Sequence, residues 1–215
     1  MLLPITLLLI QESGRGAKAR ETLMRNATGL AALLLLTGAV SAEPFHHPYG
    51  EWREYHRDWL AACPDSINED AADYYGYSCF ASTGSQELNG AGLPAYKLTL
   101  IRNRLNGELD IAITVSPGDG EYDPDRPIAL RFGGEAPIAL TLASGLETRH
   151  NTINQFFITG PRRTDILDRM KDRNALTLSV PLIGQDEPVE TWLSLRGVLA
   201  SLDFMANYAR RVAQY

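Results

Sequence analysis

Few residues in this chain have the type and spacing that chemistry demands. The clearest are its two cysteines, Cys63 and Cys79. A redox pair works at C-x-x-C spacing, and a zinc site needs more ligands than two distant thiols. In an oxidising compartment, a lone pair this close in sequence reads as a structural disulfide. Closing such a loop stabilises a fold by about 3 kcal/mol in the chain-entropy account. The bridge would staple the acidic loop Pro64 to Tyr75, which has little apolar content to order itself.

A second candidate is the acidic run Gly118 to Asp125. Asp119, Glu121, Asp123 and Asp125 present carboxylates at alternate positions, the hard oxygen ligands that calcium takes. An EF-hand loop also needs glycine at its sixth position and an acid at its twelfth, where Pro124 and Leu130 stand. A solvated hairpin loop with Pro and Gly turns explains the same residues. His46 and His47, with His56 nearby, show no carboxylate arranged around them in sequence, and read as a surface pair near a processed terminus. His150 lies in a polar stretch, Glu147 to Asn154. Ser144 could be imagined as its nucleophile, but no G-x-S-x-G elbow accompanies it. No catalytic residue, metal ligand or cofactor site is expected. The rival reading is a periplasmic hydrolase whose site assembles from residues far apart in sequence.

Aromatic density is the remaining local signal: Trp52, Tyr55 and Trp59, then Tyr74, Tyr75 and Tyr77. Trp59 is expected in the core beneath the disulfide. The three tyrosines divide evenly between core packing and a partner-binding patch, since Tyr supplies large contact area at low entropic cost.

The N-terminus gives these residues an address. From Met24, Arg25 forms a short positive region, Leu30 to Leu36 an apolar one, and Val40-Ser41-Ala42 a small-residue end before Glu43. That is a secretory signal, too short for a bilayer span. Residues 1–23 are expected to be an upstream extension or a mis-called start, 24–42 the signal peptide, and 43–215 a single mature exported domain. The full chain has a formal charge of −6. Without residues 1–42 it keeps 16 basic against 24 acidic residues, or −8. Such a chain lacks the electrostatic footprint for nucleic acid or anionic lipid.

Positioning falls mainly to strands. Glu51 to Cys63 carries apolar residues three and four apart, which predicts a short helical lead-in that becomes extended near Trp59. Tyr77 to Ser82 and Ala95 to Arg102 read as strands, and Asn106-Gly107 predicts a two-residue hairpin before Leu109 to Val115. Pro127 to Phe132, Pro137 to Leu142 and Ile153 to Thr159 follow, with Phe156 and Phe157 split between faces. A helix begins at Pro161 and ends near Asn174 in a left-handed cap, and Ala175 to Leu182 and Val189 to Arg196 are strands. The last element, Val198 to Val212, puts Val198, Leu199, Leu202, Met205, Ala206, Ala209 and Val212 on one helical stripe. The fold class is therefore mainly β (α+β): an antiparallel β-sandwich or partial barrel with one or two packed helices, one of them C-terminal.

Arg57-Asp-Trp-Leu-Ala-Ala-Cys63, Cys79-Phe-Ala81, Leu98-Thr-Leu-Ile-Arg102, Leu193-Ser-Leu-Arg-Gly197 and Ala200 to Met205 occur in an order that resembles a family of small exported proteins of Gram-negative bacteria. That family, mainly a domain of unknown function, is similar to invasion-associated locus B proteins. The resemblance spans roughly Trp59 to Arg211, with an acidic, Tyr-rich insertion, Asp70 to Tyr77, between the cysteines. It implies a periplasmic or surface-associated accessory protein of the envelope, linked in some members to host-cell invasion, and it implies no catalytic residues. The expected partner is an envelope protein or ligand, bound without enzymatic turnover.

Overall fold

Alternating apolar positions on successive strands build two antiparallel sheets in the computed structural model. The described residues are 43–212 except 72, 73, 119, 150, 151 and 153, with the side chains at 74 and 209–212 also set aside. All belong to one unit, Ala42–Tyr215. The expected extension and signal segment, His150, and Asp119 of the acidic run lie outside the described residues.

Twelve strands are described: β1 (Phe45–His47), β2 (Glu51–His56), β3 (Trp59–Pro64), β4 (Ser78–Gly84), β5 (Tyr96–Asn103), β6 (Leu109–Val115), β7 (Ile128–Arg131), β8 (Ile138–Leu140), β9 (Leu146–Glu147), β10 (Gln155–Ile158), β11 (Ala175–Val180) and β12 (Val189–Ser194). The larger sheet runs β1-β2-β3-β4-β5-β6-β10-β9 and the smaller β12-β11-β7-β8. Two α-helices are described, α1 (Arg162–Asp172) and α2 (Val198–Val212). No helix among the described residues is long and apolar enough to cross a membrane.

The larger sheet turns Trp59, Ala61, Cys63, Cys79, Ala81, Leu98, Leu100, Ile111, Ile113 and Phe156 inward. Ile128, Leu130, Leu140, Leu176, Leu178 and Leu193 of the smaller sheet meet them in one core. Helix α2 packs on β2, β3 and β4 and buries Val198, Phe204 and Met205. Phe157, the neighbour of Phe156, points the other way. There it forms a second, smaller cluster with Ile101 and Ala112. This is the mainly antiparallel β fold with a C-terminal helix that the strand pattern requires.

Cys63 and Cys79 form the disulfide. Ala61 opposes Ala81 and Ala62 opposes Phe80 across β3 and β4, so continuing the register sets the cysteines face to face, with Cα atoms 4.2 Å apart. Both are buried on the inner face.

Four local expectations need correction. Glu51 to His56 is a strand, not a helical lead-in, and hairpins directly onto Trp59–Pro64. Trp52, Glu54 and His56 share the face turned to α2, with Trp52 still 37% exposed, so two polar residues hid the alternation. The Asn106-Gly107 turn is longer than two residues: the amide of Asn103 donates to the Glu108 carbonyl at 2.9 Å, enclosing four residues. Asn103 Oδ1 accepts from the amides of Leu105 and Asn106, and Gly107 at φ 78° closes the loop. Helix α1 ends without a left-handed cap, because Arg173 is already extended (φ −116°, ψ 158°) and leads into β11. Leu199 lies off the apolar stripe of α2 and is 56% exposed, while Phe204 takes an inward place.

Candidate functional site

At the end of β6 and the start of β10, the loops that follow β6 and precede β10 enclose a cleft of about 460 Å³. Val115 and Phe156 form its apolar floor, both almost fully buried. Tyr122 lies edge-on to Phe156, with ring centroids 4.7 Å apart, and its hydroxyl donates to the Arg126 carbonyl at 3.1 Å. Burial, and then the nearby Asp123 charge, raise the Tyr122 phenol above its ordinary pKa, so it stays a neutral donor. Thr148, Thr152 and Asn154 supply polar groups along one rim, Glu121 along the other, and Leu142 adds an exposed apolar lip. An apolar floor under a few convergent polar groups is the usual make-up of a small-ligand site, and the volume lies within the usual range.

The Glu121 wall is a fixed strap. Tyr122 bridges Leu182 in the turn after β11. The Ile183 amide donates to the Glu121 carbonyl at 2.9 Å, and the Asp123 amide to the Pro181 carbonyl at 3.0 Å. Arg126 donates to the carbonyls of Gln185 and Asp186 at 2.6 and 2.8 Å. The acidic run, expected as a solvated hairpin loop, is thus docked along the smaller sheet and spends its backbone groups there. Among the described residues no group of three or more His, Cys, Asp or Glu side chains gathers at metal-binding distance.

The other candidates are scattered. Tyr75 is 47% exposed and sets its ring edge-on to Phe80, with centroids 5.5 Å apart. Tyr77 is half-buried against the Ile101, Ala112 and Phe157 cluster. Tyr74 begins the 3-10 turn Tyr74–Gly76. Beside this cluster Asp110 receives Arg149 at 2.6 Å and Arg163 at 2.7 Å, and the Arg149 guanidinium lies 4.4 Å from the Phe157 ring centroid. Burial works against the Arg149 charge, but hydrogen bonds to Asp110 and Glu147 outweigh it and raise the pKa. His46, expected without a carboxylate, meets Asp65 at 2.6 Å, because β1 pairs with β2 and draws the N-terminal segment into the sheet. His47 instead packs against Tyr49. Ser144 closes a tight turn with Thr141, its amide donating to the Thr141 carbonyl at 3.0 Å. Trp59 is fully buried, as expected, and its indole N–H donates to the Ser194 carbonyl at 3.0 Å.

Sequence reasoning overlooked Tyr122, Thr148 and Thr152. The alternation of Glu121, Tyr122 and Asp123 was the available signal for Tyr122: an aromatic between acids marks a segment with one face turned inward. Nothing local marked the threonines.

Comparison of the chain with family models, with curated proteins and with solved structures returns no match.

Proposed function

We propose that this is an exported, non-catalytic binding protein of the periplasm that holds a small ligand, or the end of a larger one, in the cleft beneath Tyr122. One observation carries the reading: the cleft has a preformed apolar floor at Phe156 and Val115, while its Glu121 wall is pinned by backbone hydrogen bonds to the smaller sheet. A rigid concave site loses little freedom on binding. The disulfide supports the address, because such bonds persist where the surroundings are oxidising. The signal-like segment before Glu43, and the resemblance to envelope proteins similar to invasion-associated locus B, agree with it.

The test is capture. The mature chain, incubated with a periplasmic small-molecule extract and analysed by native mass spectrometry, should retain one or a few species. Thr152→Trp, which adds bulk to the cleft lining, should retain none. Equal retention by both proteins would contradict the reading.

A further inference from the structure

A second concavity, of about 370 Å³, shares no residue with the cleft. Three separated pieces of chain form it: the β2–β3 turn at Arg57, the end of α1 at Lys171, Arg173 and Asn174, and the start of α2 from Leu195 to Ala200. Four of its residues are cationic: Arg57, Lys171, Arg173 and Arg196. No acidic residue lines it, although the chain as a whole is acidic at −6.

Two of these cations already have employment. Lys171 reaches Asp168 at 3.0 Å and Arg173 pairs with Glu135, and both favour the C-terminal end of α1. Arg57 and Arg196 differ, since the guanidinium of neither has an ion-pair or hydrogen-bond partner in the described structure. Arg57 is also the one non-glycine residue with positive φ among the described residues, at 57°. A left-handed turn position suits Gly or Asn and costs other residues roughly 1–2 kcal/mol. The two-residue turn between His56 and Trp59 sets that conformation, and from it Arg57 lines the concavity. The helix beside it adds to the same field. α2 has no acid in its first turn, and its opening residues Val198 to Ala200 line the same concavity.

We propose that this basic concavity binds a phosphate monoester group. Arg57 and Arg196 keep unpaired guanidinium donors of the kind that match a tetrahedral oxyanion, and a phosphate dianion answers two unpaired cations better than a single carboxylate does. The volume exceeds that of the phosphate alone, so part of the attached body enters with it, against Leu195, Val198 and Leu199. A soluble metabolite and a lipid headgroup present this same phosphate chemistry, and the probes below separate the two sources.

Titration calorimetry at low salt tests this with inorganic phosphate, with glycerol phosphate, and with phosphatidylcholine vesicles with and without phosphatidic acid. The intact protein should bind at least one phosphate probe saturably. Arg57→Gly and Arg196→Gln should each weaken that binding about tenfold, the loss expected for one charge-assisted contact. Arg131→Gln, on the far face of the smaller sheet, should bind as the parent does. Arg57→Gly should keep or raise the melting temperature, since glycine relieves the turn, so lost binding cannot be ascribed to unfolding. Glycerol phosphate binding without vesicle binding assigns a soluble source. Vesicle binding that needs phosphatidic acid and both arginines assigns a headgroup. No saturable binding of any probe, or equal loss in all three variants, overturns the proposal.

Discussion

Gly197 has no room for a side chain, because a Cβ placed there would overlap the carbonyl oxygen of His56. The β2–β3 hairpin therefore meets the start of α2 backbone to backbone. Beside that contact the Asp58 amide reaches the Arg196 carbonyl at 3.4 Å, and the Ser194 hydroxyl donates to Asp58 at 2.6 Å. Gly197 also holds φ 114°, which only glycine adopts readily. Gly197→Ala should cost about 3 kcal/mol or more, the sum of strained backbone and forced separation. Urea unfolding checks this; a change under 1 kcal/mol would show that the hairpin yields at little cost.

The disulfide should matter in proportion to the loop it closes. Cys63→Ala with Cys79→Ala should lower stability by about 3 kcal/mol, with some added cost for the lost buried sulfurs. The measurement is the urea midpoint of the double variant against the oxidised parent. Reduction of the parent under native conditions should be slow, because both sulfurs are buried.

His56 makes stability depend on pH. Its side chain is 8% exposed and packs edge-on to Phe204, and its Nε2 has no hydrogen-bond partner among the described residues. Burial lowers its pKa, while Glu54 on its own strand and Asp203 on α2 oppose that shift. The folded state thus binds its proton less readily than the unfolded chain does. The associated stability is complete above the unfolded histidine pKa of about 6.5, and is lost as pH falls from there through the lower folded value. Urea unfolding at pH 7.5 and pH 5 should show a drop in the parent that shrinks in His56→Gln. An equal drop in both would assign the acid sensitivity to other groups.

The alternation of Tyr96, Leu98 and Leu100 with Ile111, Ile113 and Val115 made the central hairpin legible in the sequence, and the α2 boundaries followed from its 3.6-residue stripe. The β2–β3 hairpin was not legible. Its turn has arginine at the left-handed position where Gly or Asn would announce it, and its inward positions include Glu54 and His56. The short β1 and β9 carry too few residues for any period to show. The cleft was hidden for a different reason: its walls come from two separate stretches, Val115 to Pro124 and Leu142 to Phe156, and the pairing of β6 with β10 brings them together. In the sequence Tyr122 has the look of a solvated loop residue, because its packing partner, Phe156, belongs to a distant strand.

Tyr122 should anchor the acidic strap. Tyr122→Phe removes one hydrogen bond to the Arg126 carbonyl and should cost about 1 kcal/mol. Tyr122→Ala also removes the ring from Phe156 and should cost about 3 kcal/mol. Hydrogen exchange at Ile183, whose amide donates to Glu121, should quicken in the alanine variant and stay near the parent rate in the phenylalanine one. Unchanged exchange in both would mean that the backbone bonds alone hold the strap.

The central claim is that the cleft beneath Tyr122 is the binding site, and amide chemical-shift mapping of the isotope-labelled mature chain tests it most directly. With the species captured from periplasmic extract added back, the shifts should concentrate at Val115, Glu121, Tyr122, Thr152 and Phe156, and disappear in Thr152→Trp. Shifts centred elsewhere on the fold, or unaltered by that substitution, would contradict the account.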